Sequence, residues 1–284
     1  MTIRTSFKGW TIPGPVPPGA TADDPDLQPR DGESLDALSG HFKIFQLKKG
    51  HRYSTDDVIC AWYGTTYCPR ADRVLDLGSG IGSVGMIAAW RLPGAHFVTL
   101  EAQEISVALA RRSARYNGLT DRYDIRLGDL RDPEALADCA PFDLVLGSPP
   151  YWPLSDGTPG DHPQKVACRF EVRGDVAAYV ATARQHLSPG GVFACVFPVD
   201  PDDQHRRVLD AARQHDMTIL RWRPVHLKEG PRPYLGLFLM VRNDHIPDHL
   251  HGQSFQEPPL IIRRADGTLH PEYVAVKMAF GFPP

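Results

Sequence analysis

The chain has no Cys-x-x-Cys pair and no His-Glu-x-x-His segment. Its five cysteines, Cys60, Cys68, Cys139, Cys168 and Cys195, are scattered. That pattern fits buried reduced thiols in a cytosolic protein better than a disulfide framework or a metal site. The twelve histidines lack metal-ligand spacing as well, so no metal is expected. No run of 18 apolar residues is present, the length a membrane-spanning helix requires. The first residues carry no signal-peptide apolar stretch. The expectation is a cytoplasmic protein with no membrane partner. A large excess of one charge is also missing. The formal net charge of −3 argues against a global nucleic-acid footprint and leaves a local basic patch as the route to RNA or DNA.

What is there suffices for one large domain: 284 residues, 42% of them hydrophobic. Residues 1–40 carry Pro13-Gly-Pro-Val-Pro-Pro-Gly19 and Asp23-Asp-Pro-Asp26, and read as a flexible Pro/Gly/Asp-rich arm. Residues 41–284 read as a single domain. Within it, 41–72 form a hairpin and helix extension, 73–245 a core and 246–284 a C-terminal extension. Phe42-Lys-Ile-Phe-Gln-Leu47 alternates like one arm of a hairpin.

From Arg73 on, short apolar runs alternate with helical stretches. Strands are expected at 73–78, 96–101, 123–128, 143–148, 191–197, 217–224 and 234–242. Helices are expected at 82–92, 103–117, 133–139, 175–187 and 202–215. A short strand at 260–264 and a closing helix at 272–280 complete the reading. This alternation predicts an α/β fold, a doubly wound seven-stranded sheet of Rossmann-like type. The last two strands are separated only by Val225 to Pro233, too little for a helical crossover, so they should form an antiparallel terminal hairpin.

Val74-Leu-Asp-Leu-Gly78 is a buried strand entering a Gly-rich turn. Gly78, Gly80 and Gly82 let the backbone approach a ligand closely. Gly80-Ile-Gly-Ser-Val-Gly85 also satisfies G-x-G-x-x-G, which leaves a nicotinamide or flavin dinucleotide as an alternative. Asp76 favours S-adenosylmethionine. A carboxylate before the first glycine can hold the amine of an amino-acid moiety and would repel a pyrophosphate. Glu101, at the end of the second strand, can accept both ribose hydroxyls of either cofactor. Asp129, closing the third strand, can accept from an adenine amine. Ser79, Ala102 and Leu130 flank these positions and belong to the same expected cofactor site.

Leu146-Gly-Ser-Pro-Pro-Tyr-Trp152 follows the fourth strand. The nitrogen of an aromatic or amide amine is a poor nucleophile because its lone pair is delocalised. Ser148 and the carbonyl of Pro149 can accept its two hydrogens, and Pro149 and Pro150 stiffen the corner that carries them. Tyr151 and Trp152 can stack on a flat acceptor. Ser148, Pro149, Pro150 and Tyr151 are the expected catalytic corner, with Ser148 also facing the cofactor. The chemistry expected is methyl transfer to a planar amino nitrogen, helped by proximity and needing no strong base.

These residues resemble the amino-methyltransferase pattern Asn/Asp/Ser-Pro-Pro-Tyr/Phe/Trp, with Ser where most single-domain relatives carry Asn. Beyond the two loops, the stretch from about Phe42 to Phe280 resembles the bacterial tRNA(Val) adenine-N6 methyltransferase family, class I enzymes that use S-adenosylmethionine. Gly50-His-Arg-Tyr-Ser-Thr-Asp-Asp-Val-Ile59 is similar to that family's segment ahead of the first strand. The resemblance implies that Tyr53, Thr55 and Asp56 lie near the methionine end of the cofactor; an ordinary helix cap at Ser54 or Thr55 accounts for the same residues. Gln164-Lys-Val-Ala-Cys-Arg-Phe-Glu171 resembles the segment after the catalytic loop, and Pro271-Glu-Tyr-Val-Ala-Val-Lys-Met-Ala-Phe280 the closing helix. The resemblance implies adenine N6 in tRNA as the acceptor. DNA, a protein glutamine, a small-molecule amine, or a non-catalytic protein that binds cofactor or RNA remain the alternatives.

On the substrate side, Lys43, Lys48, Lys49, His51 and Arg52 form the densest basic cluster. It could follow a phosphate backbone or be a solvated face. Residues 152–173 read as a long polar loop carrying Asp156, Gly157, Gly160, His162, Lys165 and Arg169. Lys165 and Arg169 are expected to bind substrate. Arg263-Arg264 reads as surface.

Overall fold

A strand with apolar side chains on both faces belongs inside a parallel sheet, and β5 (Arg73–Leu77) takes that place. The computed structural model describes residues 5–153, 155, 162–199 and 204–284. It sets β5 between β6 (His96–Glu101) and β8 (Phe142–Gly147), both parallel to it. Beyond them lie β7 (Tyr123–Leu127) on one side and β9 (Leu187–Pro198) on the other. β11 (Leu235–Arg242) runs antiparallel to both β9 and β10 (Met217–His226), and the Leu227–Tyr234 connection is indeed too short for a crossover helix. The order β7-β6-β5-β8-β9-β11-β10 is the doubly wound arrangement with its antiparallel hairpin. Two short strands, β12 (Phe255–Gln256) and β13 (Leu260–Ile261), pair with the outer side of β10 and bring the sheet to nine strands where seven were expected. They cover an edge that would otherwise be open.

Side chains alternate across the sheet and build a core on each face. Val74, Leu144, Leu146 and Ala194 meet α1 (Thr55–Tyr67), α2 (Ser83–Arg91) and α3 (Glu104–Asn117) on one side. Leu75, Val145, Phe193 and Phe197 meet α5 (Val176–His186) and α6 (His205–Gln214) on the other. The helix starts are chemically specified. Ser54 and Asp57 form a capping box on α1. Asp175 accepts the Ala178 amide at 2.9 Å to start α5. Residues 133–139, expected as a helix, make only a 3-10 turn over Pro133–Leu136. The expected polar loop instead contains α4 (Pro163–Arg169), begun by a proline at its first position. Asp156, Gly157 and Gly160 lie outside the described residues.

The N-terminal region has its own pairing. β1 (Ser6–Phe7) meets β2 (Trp10–Thr11), and β3 (Glu33–Ser39) supplies the missing arm for β4 (Phe42–Leu47). Arg112 on α3 grips both oxygens of Glu33 at 2.7 and 2.8 Å and the carbonyls of Asp26 and Gln28 at 2.8 and 2.7 Å. The Pro/Asp-rich segment is thus laid along α3. At the other end, α7 (Pro271–Met278) packs against α1.

Candidate active site

The carboxyl ends of β5, β6, β7 and β8 open into one cavity of about 410 Å³, where the strand order reverses. Gly78 and Gly80 hold φ of +59° and +55°, a region that disfavours any side chain. A Cβ on Gly78 would also collide with the Tyr179 hydroxyl. Asp76 is 1% exposed and accepts the Gly85 amide at 2.8 Å. A Cβ on Gly85 would fall 2.8 Å from that same carboxylate oxygen. The last glycine of the G-x-G-x-x-G pattern therefore makes room for a buried acid, which is no cradle for a pyrophosphate.

Two further carboxylates line the same wall. Glu101 accepts the Gly80 amide at 2.9 Å on one oxygen and the Gln103 amide at 2.7 Å on the other. Each oxygen keeps a lone pair for a ligand hydroxyl. Asp57 accepts the Ser54 amide at 2.7 Å and the Ser83 hydroxyl at 2.6 Å. Burial pushes Asp76 up to about 8, and the Asp57 and Glu101 charges add to the rise against the Gly85 amide. Burial also raises Glu101, and raises Asp57 with help from Asp56. Such a wall favours a cationic ligand, because a positive charge relieves like-charge repulsion that otherwise holds protons on the acids.

The same cavity is also lined by the Ser-Pro-Pro-Tyr corner at the end of β8. The Tyr151 hydroxyl donates to Asp56 Oδ2 at 2.9 Å, and its ring stands edge-on to Phe197 at 5.9 Å. The amides of Tyr151 and Trp152 both donate to the Arg169 carbonyl at 3.1 Å, and the Glu171 amide donates to the Trp152 carbonyl at 3.0 Å. Arg207 donates to the Tyr151 carbonyl at 3.4 Å and also binds Glu171. The α4 segment therefore clamps the corner through backbone hydrogen bonds. Leu227 and Tyr234, 43% and 38% exposed, line the cavity from the β10–β11 loop.

Of the residues singled out from sequence, Thr55, Asp56, Asp76, Gly78, Ser79, Gly80, Glu101, Ala102, Leu130, Ser148, Pro149, Pro150, Tyr151, Trp152 and Arg169 line this cavity. Tyr53, Gly82, Asp129 and Lys165 are not among its lining residues. Tyr53 points its hydroxyl to the Ala37 carbonyl at 2.5 Å. Asp129 turns its carboxylate onto Arg131 at 2.9 and 2.6 Å, and its neighbours Gly128 and Leu130 face the cavity instead. The basic cluster is split. Arg52 pairs with Asp36 at 3.0 Å, whereas His51 lines the cavity, with Lys165 and Arg169 near enough to help lower its pKa after burial.

Sequence reasoning missed Asp57, Gln103, Arg173, Tyr179, Leu227 and Tyr234. The spacing Ser54-x-x-Asp57 is a capping-box signature and would have marked Asp57. The three segments that carry the family resemblance meet at the start of α1. The Gln164 side chain accepts the His51 amide at 3.0 Å, and α7, which carries Tyr273, packs against α1.

A doubly wound sheet with an acid-lined, Gly-rich turn facing a Ser-Pro-Pro-Tyr corner defines a class I methyltransferase. The family model for the methyltransferase small domain matches residues 65–206, and the chain belongs to that family. It is 28% identical over 243 residues to a tRNA1(Val) (adenine(37)-N6)-methyltransferase of Porphyromonas gingivalis, covering 84% of this chain and 92% of the relative. It is 30% identical over 129 residues, 43% of this chain and 44% of the relative, to a release factor glutamine methyltransferase of Gloeobacter violaceus. Among solved structures, a predicted O-methyltransferase from Agrobacterium tumefaciens shares the fold at a TM-score of 0.61 and 18% identity, over 81% of this chain and 98% of that one. An O-methyltransferase of Brevibacillus brevis in complex with S-adenosyl-L-homocysteine gives a TM-score of 0.52 at 13% identity, over 80% and 85%.

The chain is a methyltransferase, and the methyl donor of such enzymes is S-adenosylmethionine. The residues present fit it. Three buried acids suit a ligand bearing an ammonium and a sulfonium, and the buried Ser79 hydroxyl beside them has no partner among the described residues. Among the described residues no cluster of metal ligands occurs, and no helix is long and apolar enough to cross a membrane.

Proposed function

We propose that the protein transfers a methyl group to an exocyclic amine, adenine N6 in tRNA, and works as a nucleic-acid-binding enzyme of the cytoplasm. The observation that carries this reading is one cavity lined both by Asp76, Asp57 and Glu101 and by Ser148 to Trp152. When bound, S-adenosylmethionine supplies an electrophilic methyl group. On this reading Asp76 holds the amino group of its methionine end. Glu101 accepts the ribose hydroxyls through its two free lone pairs, and Ser79 gives its unpaired hydroxyl to the ligand. Leu130 and Gly128 pack against the adenine. Ser148 Oγ and the Pro149 carbonyl accept the two hydrogens of the acceptor amine, which turns the nitrogen lone pair toward the methyl carbon. Trp152 offers a flat face to the acceptor ring.

Relatives over most of the chain support tRNA as the acceptor. Arg169 at the cavity and Lys165 one turn before it on α4, with Lys48 and Lys49 near His51 in sequence, are the local basic patch for the phosphate backbone. A second reading, a protein glutamine, is favoured by the release factor relative, since an amide amine is also planar and poorly nucleophilic. Methyl transfer from labelled cofactor, with total tRNA, DNA, a protein extract and a metabolite extract as parallel acceptors, decides between them. Label in N6-methyladenosine of digested tRNA is the expected result. Label confined to protein moves the assignment to the second reading, and label in none rejects both.

A further inference from the structure

Arg207, on α6, is not among the residues that line the cavity, yet it holds the Ser148–Trp152 corner from behind. Its Nη1 donates to the Tyr151 carbonyl at 3.4 Å and to the Gln204 side chain at 3.3 Å. Its Nη2 binds the Glu171 carboxylate. The guanidinium carbon lies 5.3 Å from the centre of the Phe197 ring, against which the Tyr151 ring stands edge-on at 5.9 Å. The Glu171 amide in turn donates to the Trp152 carbonyl at 3.0 Å. These contacts close a loop that runs from Tyr151 through Arg207 to Glu171 and back to Trp152. The chain lines the cavity on both sides of Glu171, at Arg169 and at Arg173. One side chain from α6 therefore ties the corner to the cavity-lining segment that follows it.

Stability alone gives little reason for such an arginine. The Arg207 and Glu171 side chains are 27% and 13% exposed, so both charges are largely drawn out of water. A pair placed this way stabilises little over an apolar pair of the same volume. Geometry gives a better reason. Methyl transfer needs the acceptor nitrogen in line with the methyl group, and a displacement of about 1 Å can cost about 10²-fold in rate. Pro149 and Pro150 carry no amide that could tie the corner down. Its fixed points come just after them. The Tyr151 and Trp152 amides are held by the Arg169 carbonyl at 3.1 Å, and the Tyr151 carbonyl is held by Arg207. A planar guanidinium suits the task, because its separate nitrogens reach a carboxylate and a carbonyl at once. Resting on the reading of the Ser148–Trp152 corner as the acceptor pocket, we propose that Arg207 is a positioning residue for methyl transfer: through the Tyr151 carbonyl and Glu171 it holds the corner where the acceptor amine meets the methyl group. It stays outside the cavity and moves no proton.

The test uses the full chain, with whichever acceptor pool the wild type labels. Arg207→Met/Glu171→Met removes both charges together and strands neither. Its melting temperature should stay within about 2 °C of the wild type. Its kcat should fall about 30- to 100-fold, while KM for the acceptor and calorimetric affinity for S-adenosylhomocysteine stay within about threefold. A merely structural pair would not split the constants in this way. Arg207→Lys keeps the charge opposite Glu171 and should still lose about tenfold in kcat, because a compact ammonium cannot reach the carboxylate and the carbonyl together. Hydrogen exchange reads the tie without any acceptor. The Tyr151 and Trp152 amides should exchange at least about tenfold faster in the double variant, with the β5 and β6 amides unmoved. Wild-type kcat in the double variant, or unmoved exchange at Tyr151 and Trp152, overturns the proposal. If the double variant melts more than about 5 °C below the wild type, Arg207→Lys decides, and wild-type kcat there overturns it equally. Wild-type kcat in Ser148→Ala, or a wild type that labels no acceptor, rejects the reading of the corner instead, and the exchange rates still decide whether Arg207 holds it.

Discussion

On the carboxylate side of the cavity, the hydrogen bonds join residues close in the chain. Gln103 on Glu101 spans 2 residues, Gly85 on Asp76 spans 9, Gly80 on Glu101 spans 21 and Ser83 on Asp57 spans 26. On the Ser148 side the backbone bonds to Arg169 and from Glu171 are also short in range, but the side-chain bonds join distant residues. Arg207 on Tyr151 spans 56, Tyr151 on Asp56 spans 95 and His51 on Gln164 spans 113. The first wall is mostly backbone amides on acids, fixed once β5, β6 and their turns form and α1 meets the start of α2. The second exists only when α1, α4, α6 and β8 are all in place. On the proposed reading, cofactor recognition is a property of a more local unit, whereas acceptor recognition is a property of the whole fold. Substitutions on the first side should act on cofactor affinity, and those on the second on turnover.

The largest effect that tests this division is Asp76→Ala. It removes the acid assigned to the cofactor amine and should weaken S-adenosylmethionine binding on the order of 10³-fold, the scale of truncating one partner of a buried charged pair. It also strands the Gly85 amide. The variant should still fold, because the lost carboxylate was itself costly to bury. Calorimetric titration with a melting curve checks both, and retained affinity would dissolve the comparison. Next comes Ser148→Ala, with kcat down about 10²-fold and cofactor affinity unchanged. A matched loss of affinity would merge the two walls into one.

The acids themselves give a pH test of intermediate size. Asp76 is raised to about 8 by burial. A folded-state pKa above the unfolded one stabilises fully below the ordinary carboxylate range, and that contribution is lost as pH rises through the raised value. The ligand-free protein should therefore lose the Asp76 share of its stability between about pH 4 and pH 8. Cofactor affinity should move the other way, rising by up to about tenfold per pH unit from pH 6 toward pH 8 as a proton is displaced. Melting temperatures with and without S-adenosylhomocysteine should diverge across that range. Asp76→Asn should flatten the trend, and an equal slope in that variant would remove Asp76 as its source.

The same division governs what could be read from the sequence. Seven strand positions, the Gly turn and the acids at two strand ends are written in local period and local spacing, so counting alone brings Asp76, Glu101 and Ser148 to the cavity they line. Asp129 is reached by the same count but does not line the cavity, because its neighbour Arg131 takes the carboxylate in a turn whose geometry depends on side-chain rotamers. Arg173, Tyr179 and Tyr234 carry no local signal, since tertiary packing alone brings them to the cavity. α4 was hidden because it is short and polar, with its partners far away: Gln164 is 2% exposed, and its amide nitrogen donates to Ser106 on α3 at 3.1 Å.

Gln164 offers the finest probe. Its oxygen holds the His51 amide and its nitrogen the Ser106 hydroxyl, so it pins the segment ahead of α1 to α3, with α4 as the lever. Gln164→Leu fills the same space but leaves the His51 amide buried without a partner, at a local cost of about 1–3 kcal/mol. The chain ahead of Asp56 should loosen first, and hydrogen exchange at residues 50–54 should speed up. The carboxylate wall shares no hydrogen bond with Gln164, so cofactor affinity should be unmoved, while KM for the acceptor rises a few-fold. A weakened cofactor site in this variant would mean that the long-range ties of the acceptor wall also hold the local wall, and that the two sides are less separable than their chain spacing implies.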